Sequence, residues 1–357
     1  MASERWGVEP ERHAIALDFT PGHDALAFST PSFLVIRAVG TSTYMPDVMG
    51  VDPLTGKLLW RFSDVIGPSI ILHCHAENEE RIVATTPKGV YLLEREGPRL
   101  ILDHKLEATS VGRFNTDGSI GFAVDNDNRL VSFSEQGSIR WDKRPRSRRK
   151  FQNPFPIDNG TVCISGSEDI LCLNEKGERL WTWAGVSQDT PHANRQSRYS
   201  IATYVPPNLL LVRSVEETTT HHLVLDAYTG EYLGHLGDIW PYGADGVSHH
   251  PVVMQDGQEH ISFLQTDGTL SEPQKLKSML GSFCELPEGH VALHYDVLMK
   301  AIACTDAQGK VLWRESYPDA EGGLAAKSFM KHAAFFVTTK GNLHVWDWYP
   351  EADENES

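Results

Sequence analysis

A turn glycine followed four residues later by tryptophan occurs four times, and no other feature constrains the fold as tightly. The copies are Gly56-Lys57-Leu58-Leu59-Trp60, Gly137-Ser138-Ile139-Arg140-Trp141, Gly177-Glu178-Arg179-Leu180-Trp181 and Gly309-Lys310-Val311-Leu312-Trp313. Weaker copies without the tryptophan turn at Gly97, Gly230 and Gly268. In chain order the glycines lie 41, 40, 40, 53, 38 and 41 residues apart. A period near 40 built on polar-glycine turns between apolar runs marks a repeated four-stranded unit, and so predicts an all-β propeller.

The turns have their own chemistry. Val48 to Val51 leads into Asp52-Pro53-Leu54-Thr55-Gly56, and Lys57 to Phe62 leaves it; Asp226-Ala227-Tyr228-Thr229-Gly230 repeats the arrangement. Glycine supplies positive φ at the close of such a loop, while Asp and Thr hydrogen-bond nearby backbone amides. Elsewhere the turn shortens to Gln136-Gly137, Lys176-Gly177, Asp267-Gly268 and Gln308-Gly309.

A second internal match sets the number of repeats. Val83 to Gly89 resembles Phe336 to Gly341, and the two closing glycines differ by 252 residues, six periods of 42. The later segment therefore belongs to an eighth repeat, with Asn342 to Trp346 as its third strand. No further strand follows before the acidic tail, and the N-terminal run His13 to Phe19 is expected to supply the fourth, so that no sheet edge stays open. The expectation is eight four-stranded antiparallel blades in one domain over residues 1–350, with seven blades as the alternative. Residues 351–357, acidic and almost without apolar side chains, read as a disordered tail.

The run Gly50-Val51-Asp52-Pro53-Leu54-Thr55-Gly56-Lys57-Leu58-Leu59-Trp60 resembles the repeat of the pyrroloquinoline-quinone-like propellers, A-x-D-x-x-T-G-x-x-x-W. Only the first alanine is replaced, by Gly50. The resemblance implies that Trp60, Trp141, Trp181 and Trp313 dock between adjacent blades. Some members are quinone-dependent dehydrogenases with a vicinal disulfide over the cofactor, but no two of the five cysteines here are adjacent. No cofactor is therefore expected. An eight-bladed, non-catalytic lipoprotein of outer-membrane assembly is the closer match in size.

Charge and histidines supply the candidate sites. Lys143-Arg144-Pro145-Arg146-Ser147-Arg148-Arg149-Lys150 gathers six cations in a chain of net charge −16. It follows the last strand of the third repeat. The next such link, Gly185 to Tyr199, carries His192, Arg195 and Arg198 and accounts for the 53-residue spacing. Links of this class emerge on one face of a propeller, so Lys143, Arg144, Arg146, Arg148, Arg149, Lys150, Arg195 and Arg198 are predicted to form a partner-binding sector, continued by Pro241 to Pro251. Arginine forks suit carboxylate or phosphate. Nucleic acid is not expected, given the acidity of the remainder.

His73-Cys74-His75, His221-His222 and His249-His250 invite a metal reading, but no third ligand can be assigned and no metal site is expected. Asp125-Asn126-Asp127-Asn128 lacks the glycine and closing glutamate of a calcium loop and reads as a hairpin turn. No nucleophile, phosphate-loop or dinucleotide motif appears. No apolar run approaches a membrane span, and the charged, proline-bearing start is unlike a secretory leader. The cysteines, odd in number and mostly in apolar runs, read as buried thiols of a cytoplasmic protein. The resulting expectation is a non-catalytic scaffold that binds a protein partner, as a subunit of a bacterial complex or a toxin-neutralising protein. The alternative is an enzyme or small-ligand receptor using the central channel.

Overall fold

The computed structural model describes residues 11–17, 19, 26–29, 32–38, 47–62, 72–74, 82–107, 110–115, 117–144, 151–152, 154–157, 160–166, 169–184, 198–216, 219–236, 240–242, 252–255, 260–265, 267–275, 280–285, 291–296, 301–306, 311–316, 324–329 and 333–347. Among these residues there are strands and turns but no helix.

The strands fall into eight four-stranded sheets, seven of them formed by four consecutive strands. The first sheet joins Leu26–Ser29, Leu34–Ala38, Asp47–Val51 and Leu58–Phe62, and the second Leu72–Cys74, Ile82–Thr86, Gly89–Glu94 and Gly97–Asp103. The third contains Arg113–Phe114, Ile120–Val124, Leu130–Ser134 and Ile139–Lys143. The fourth contains Pro154–Pro156, Val162–Ser165, Ile170–Leu173 and Arg179–Trp183. The fifth is built from Arg198–Val205, Leu209–Glu216, Thr219–Asp226 and Tyr232–His235. Trp240–Tyr242 opens the sixth sheet and Leu280–Glu285 the seventh.

The eighth sheet departs from sequence order. Leu324–Phe329, Ala333–Thr338 and Asn342–Asp347 lie side by side, and Glu11–Ala16 completes the sheet. Its register runs from Glu11 opposite Asp347 to Ala16 opposite Asn342. The match between residues 83–89 and 336–341 is thus a match between second strands of two sheets.

The chain divides into two compact units. One comprises Met1–Pro68, Leu93–Pro98 and Lys275–Ser357; the other comprises Ser69–Leu92 and Arg99–Gln274. Within the first, Leu34, Ile36 and Val51 pack against Phe335, Val337, Leu343 and Val345 of the eighth sheet. Within the second, successive sheets bury apolar faces against each other. Val90 and Ile101 meet Val131 and Phe133; Phe122 and Leu130 meet Ile164 and Leu171; Cys163 and Ile170 meet Leu210 and Leu223. Middle strands such as Val162–Ser165 and Ile170–Leu173 are buried on both sides, so they read as continuous apolar runs rather than alternating ones.

The two long turns use the same hydrogen bonds. Asp52 Oδ1 accepts from the amides of Leu54 at 2.9 Å and Thr55 at 3.3 Å, and Asp226 Oδ1 from those of Tyr228 at 2.9 Å and Thr229 at 2.8 Å. Gly56 and Gly230 close the turns with φ of +70° and +73°. Burial alone would raise the Asp52 and Asp226 carboxyls, but the bonds they accept outweigh it and hold both below the ordinary range.

Of the segment Pro241 to Pro251, expected to continue the face of the earlier links, Pro241 lies in the first strand of the sixth sheet opposite Val253, and residues 243–251 lie outside the described residues.

Candidate protein-docking rim

The four signature tryptophans stand on the last strands of the first, third, fourth and seventh sheets. Trp60, Trp141, Trp181 and Trp313 stand opposite Gly50, Ser132, Cys172 and Cys304, all small residues. In each pair of strands the register slips immediately afterwards, a bulge that adds local twist to the outer strand. The indole N–H of Trp60 donates to Glu94 O at 2.9 Å, that of Trp141 to Glu175 O at 2.8 Å, and that of Trp181 to Ala227 O at 3.2 Å. Each acceptor sits at or just beyond the third strand of the following sheet. For Trp141 and Trp181 the next turn glycine lies against the ring: a Cβ at Gly177 would meet Trp141 at 3.0 Å, and one at Gly230 would meet Trp181 at 2.7 Å. Asp52 adds a 2.9 Å ion pair to Arg95, whose guanidinium also donates to Ser32 O. For Trp313 the structure describes the strand position, and its side chain lies outside the described residues.

Among the described side chains of these strands, those of the third sheet are the most exposed. In Ile139–Lys143 only Trp141 is partly covered. Its one carboxylate, Asp142, is held by Arg129 at 2.6 Å. Arg140, Lys143 and Arg144 are exposed, and among the described residues no carboxylate pairs with them. The Lys143 stem runs beside Gly177, where a Cβ would lie 2.9 Å from Cγ, so this strand abuts the turn that carries exposed Lys176 and leads to exposed Arg179. Exposed Glu175 and Glu178 are interspersed among these cations. Ile139 and Leu180 add apolar surface, each about half exposed.

Of the residues singled out in the sequence, the structure sets Lys143 and Arg144 at the end of this strand. Arg198 is exposed at the start of the fifth sheet, without a described contact to them. Arg146, Arg148, Arg149, Lys150 and Arg195 lie outside the described residues, as do His75, His249 and His250. Sequence reasoning missed Arg140 and Arg179. Their signal was available: both precede a turn-signature tryptophan on a strand with one neighbour.

The link back from this strand is pinned by the preceding hairpin. Phe151 N donates to Asn128 Oδ1 at 2.6 Å. Asp125 Oδ1 accepts from the amides of Asp127 and Arg129 at 2.9 and 2.8 Å, and His104 Nε2 lies 3.3 Å from Asp125 Oδ2. The acidic run at 125–128 is thus a hairpin turn folded on its own backbone. Among the described residues no three His, Cys, Asp or Glu side chains converge on a point, and no helix is long and apolar enough to cross a membrane.

Comparisons with known proteins agree on the architecture. The family described as outer membrane protein assembly factor BamB matches residues 45–199. BamB from Moraxella catarrhalis is similar over 95% of this chain and 100% of its own, at 14% identity and a TM-score of 0.55. The computationally designed Ika8 protein gives the same coverage and identity with a TM-score of 0.59. The Cps50 (Swd1) β-propeller domain of Myceliophteria thermophila is similar over 79% of this chain and 96% of its own, at 10% identity and a TM-score of 0.51. No curated protein matches the chain significantly. Residues 45–199 carry the pyrroloquinoline-quinone-like repeat, and the chain is an all-β protein of β-propeller type.

Proposed function

We propose that the eight sheets are the blades of one ring-shaped domain over residues 1–350, and that this domain is a non-catalytic scaffold for a protein partner. The observation that carries the reading is the cluster of exposed cations Arg140, Lys143 and Arg144 on an open edge strand, without carboxylate partners among the described residues, in a chain of net charge −16. An acidic surface on the partner would neutralise them, with Arg146, Arg148, Arg149 and Lys150 extending the same segment and Arg195 and Arg198 a neighbouring one. Charges so placed govern encounter rate and specificity more than raw affinity. Residence in the cytoplasm belongs to the same reading.

The test is affinity capture from the native host, followed by titration of the captured partner. Replacing Arg140, Lys143 and Arg144 together with alanine is expected to weaken binding about tenfold at low salt and to flatten its salt dependence. Unchanged affinity and salt slope would remove this rim from the proposal. A cofactor absorbance band in the purified protein would favour ligand chemistry in the channel instead.

A further inference from the structure

The fourth sheet sets two cysteines face to face. In the hairpin of Val162–Ser165 and Ile170–Leu173, Cys163 stands directly opposite Cys172, so both side chains leave the sheet on the same face. Both are fully buried, in an apolar layer shared with Leu210, Val212 and Leu223 of the fifth sheet. The other cysteines have no such partner in the described registers: Cys74 faces Ile82, and Leu293 separates Cys284 from Cys304.

The phase of the ladder decides how closely the two residues approach. Gly166 N donates to Asp169 O at 2.8 Å, so these residues, one step beyond Ser165 and Ile170, are a hydrogen-bonded pair. Hydrogen-bonded and non-hydrogen-bonded pairs alternate along an antiparallel ladder. Counting back from Gly166, Cys163 and Cys172 are therefore a non-hydrogen-bonded pair, the narrow kind, with Cα atoms about 4.5 Å apart. A disulfide spans Cα separations of about 4.4–6.8 Å, so the strands admit one without sliding. Two thiols that only filled apolar space would need no such phase.

We infer that Cys163 and Cys172 are the two ends of a cross-strand disulfide, closed by exchange with a low-molecular-weight disulfide while the hairpin is uncovered. One cysteine thiolate attacks a sulfur of the small disulfide, forming a mixed disulfide and releasing one small thiolate. The second cysteine thiolate attacks the protein sulfur of that mixed disulfide, closing the bond and releasing the other small thiolate. The two protein sulfurs are oxidised, the small disulfide is reduced to two thiols, and the protons of the cysteines end on those thiols. Burial keeps the Cys163 thiol protonated in the folded protein, so exchange belongs to the interval before the fifth sheet packs on the hairpin. In a reducing compartment the pair stays as two thiols. The bond ties the two middle strands of the fourth sheet together and does not depend on a partner at the cationic rim.

The experiment dialyses reduced, full-length protein slowly from urea into a mixture of oxidised and reduced glutathione, quenches with acid, blocks the remaining thiols and maps peptides without reduction. Trypsin leaves both cysteines in residues 151–176, which should weigh two hydrogens less than the reduced peptide, and cleavage after Glu168 should leave the halves joined. This linkage is expected about tenfold or more above any other. In Cys163→Ala and Cys172→Ala the remaining cysteine should carry glutathione or stay free, with no new partner. Should either variant fold poorly, the wild type gives a second readout: its oxidised form should unfold at higher urea than its reduced form, and reductant should abolish the difference. No bond within residues 151–176, linkages spread among all five cysteines, or an oxidised form no more resistant to urea overturns the assignment.

Discussion

A Cβ at Gly230 would lie 2.7 Å from the indole of Trp181, a residue of the preceding sheet. Gly230 also has φ of +73°, a conformation that an L side chain adopts at a penalty. Sheet-to-sheet docking and turn geometry thus meet at one atom-sized space. Gly230→Ala should destabilise the protein by about 2–3 kcal/mol, combining backbone strain with displacement of the ring. Urea unfolding checks this through a lower midpoint at unchanged slope.

The indole hydrogen bonds can be separated from ring burial. Trp141→Phe keeps most apolar contact but removes the bond to Glu175 O, and should lose about 1 kcal/mol. Trp141→Ala should lose about 3 kcal/mol. Similar losses in both variants would show that the ring contributes little beyond its N–H.

The turn carboxylates predict an acid limit. Asp52 and Asp226 have folded pKa values below their unfolded ones, so their contribution is full above the unfolded value, about 3.9, and is lost as pH falls through the lower folded value. Stability should therefore drop below about pH 4. Asp226→Asn should lower stability near neutrality and flatten that acid decline, as thermal melts from pH 2.5 to 7 would show.

Arg129 and Asp142 offer a test of the cationic rim in the opposite direction. Asp142→Asn releases Arg129 and leaves the outer strand of the third sheet without a carboxylate. Association with an acidic partner should become about two- to fivefold faster at low salt, and the gain should vanish at 0.5 M salt. Stopped-flow binding measures both.

Cys163 and Cys172 are cross-strand neighbours, both fully buried, and burial pushes the Cys163 thiol well up. Neither should react with iodoacetamide in the native protein, and both should react in denaturant. Peptide mapping of the alkylated cysteines distinguishes these sites.

Much of this architecture is legible because its determinants are local. Gly56, Gly137, Gly177, Gly230 and Gly268 announce their turns through a conformation few other residues tolerate. The eighth-sheet strands 333–338 and 342–347 could be placed because they copy an earlier repeat. What escaped depends on register. Arg140 occupies a bulge, so its exposure follows from a slip that sequence does not announce. Pro241 reads as part of a link because the first strand of the sixth sheet, Trp240-Pro241-Tyr242, contains a proline and is three residues long, short of any strand signal.

The sheet shared by Glu11–Ala16 and Asn342–Asp347 has a consequence for biosynthesis. A ribosome releases the first of these segments long before the second. Until then Glu11–Ala16 waits as an orphan ribbon that a chaperone, or a neighbouring nascent chain, is free to capture.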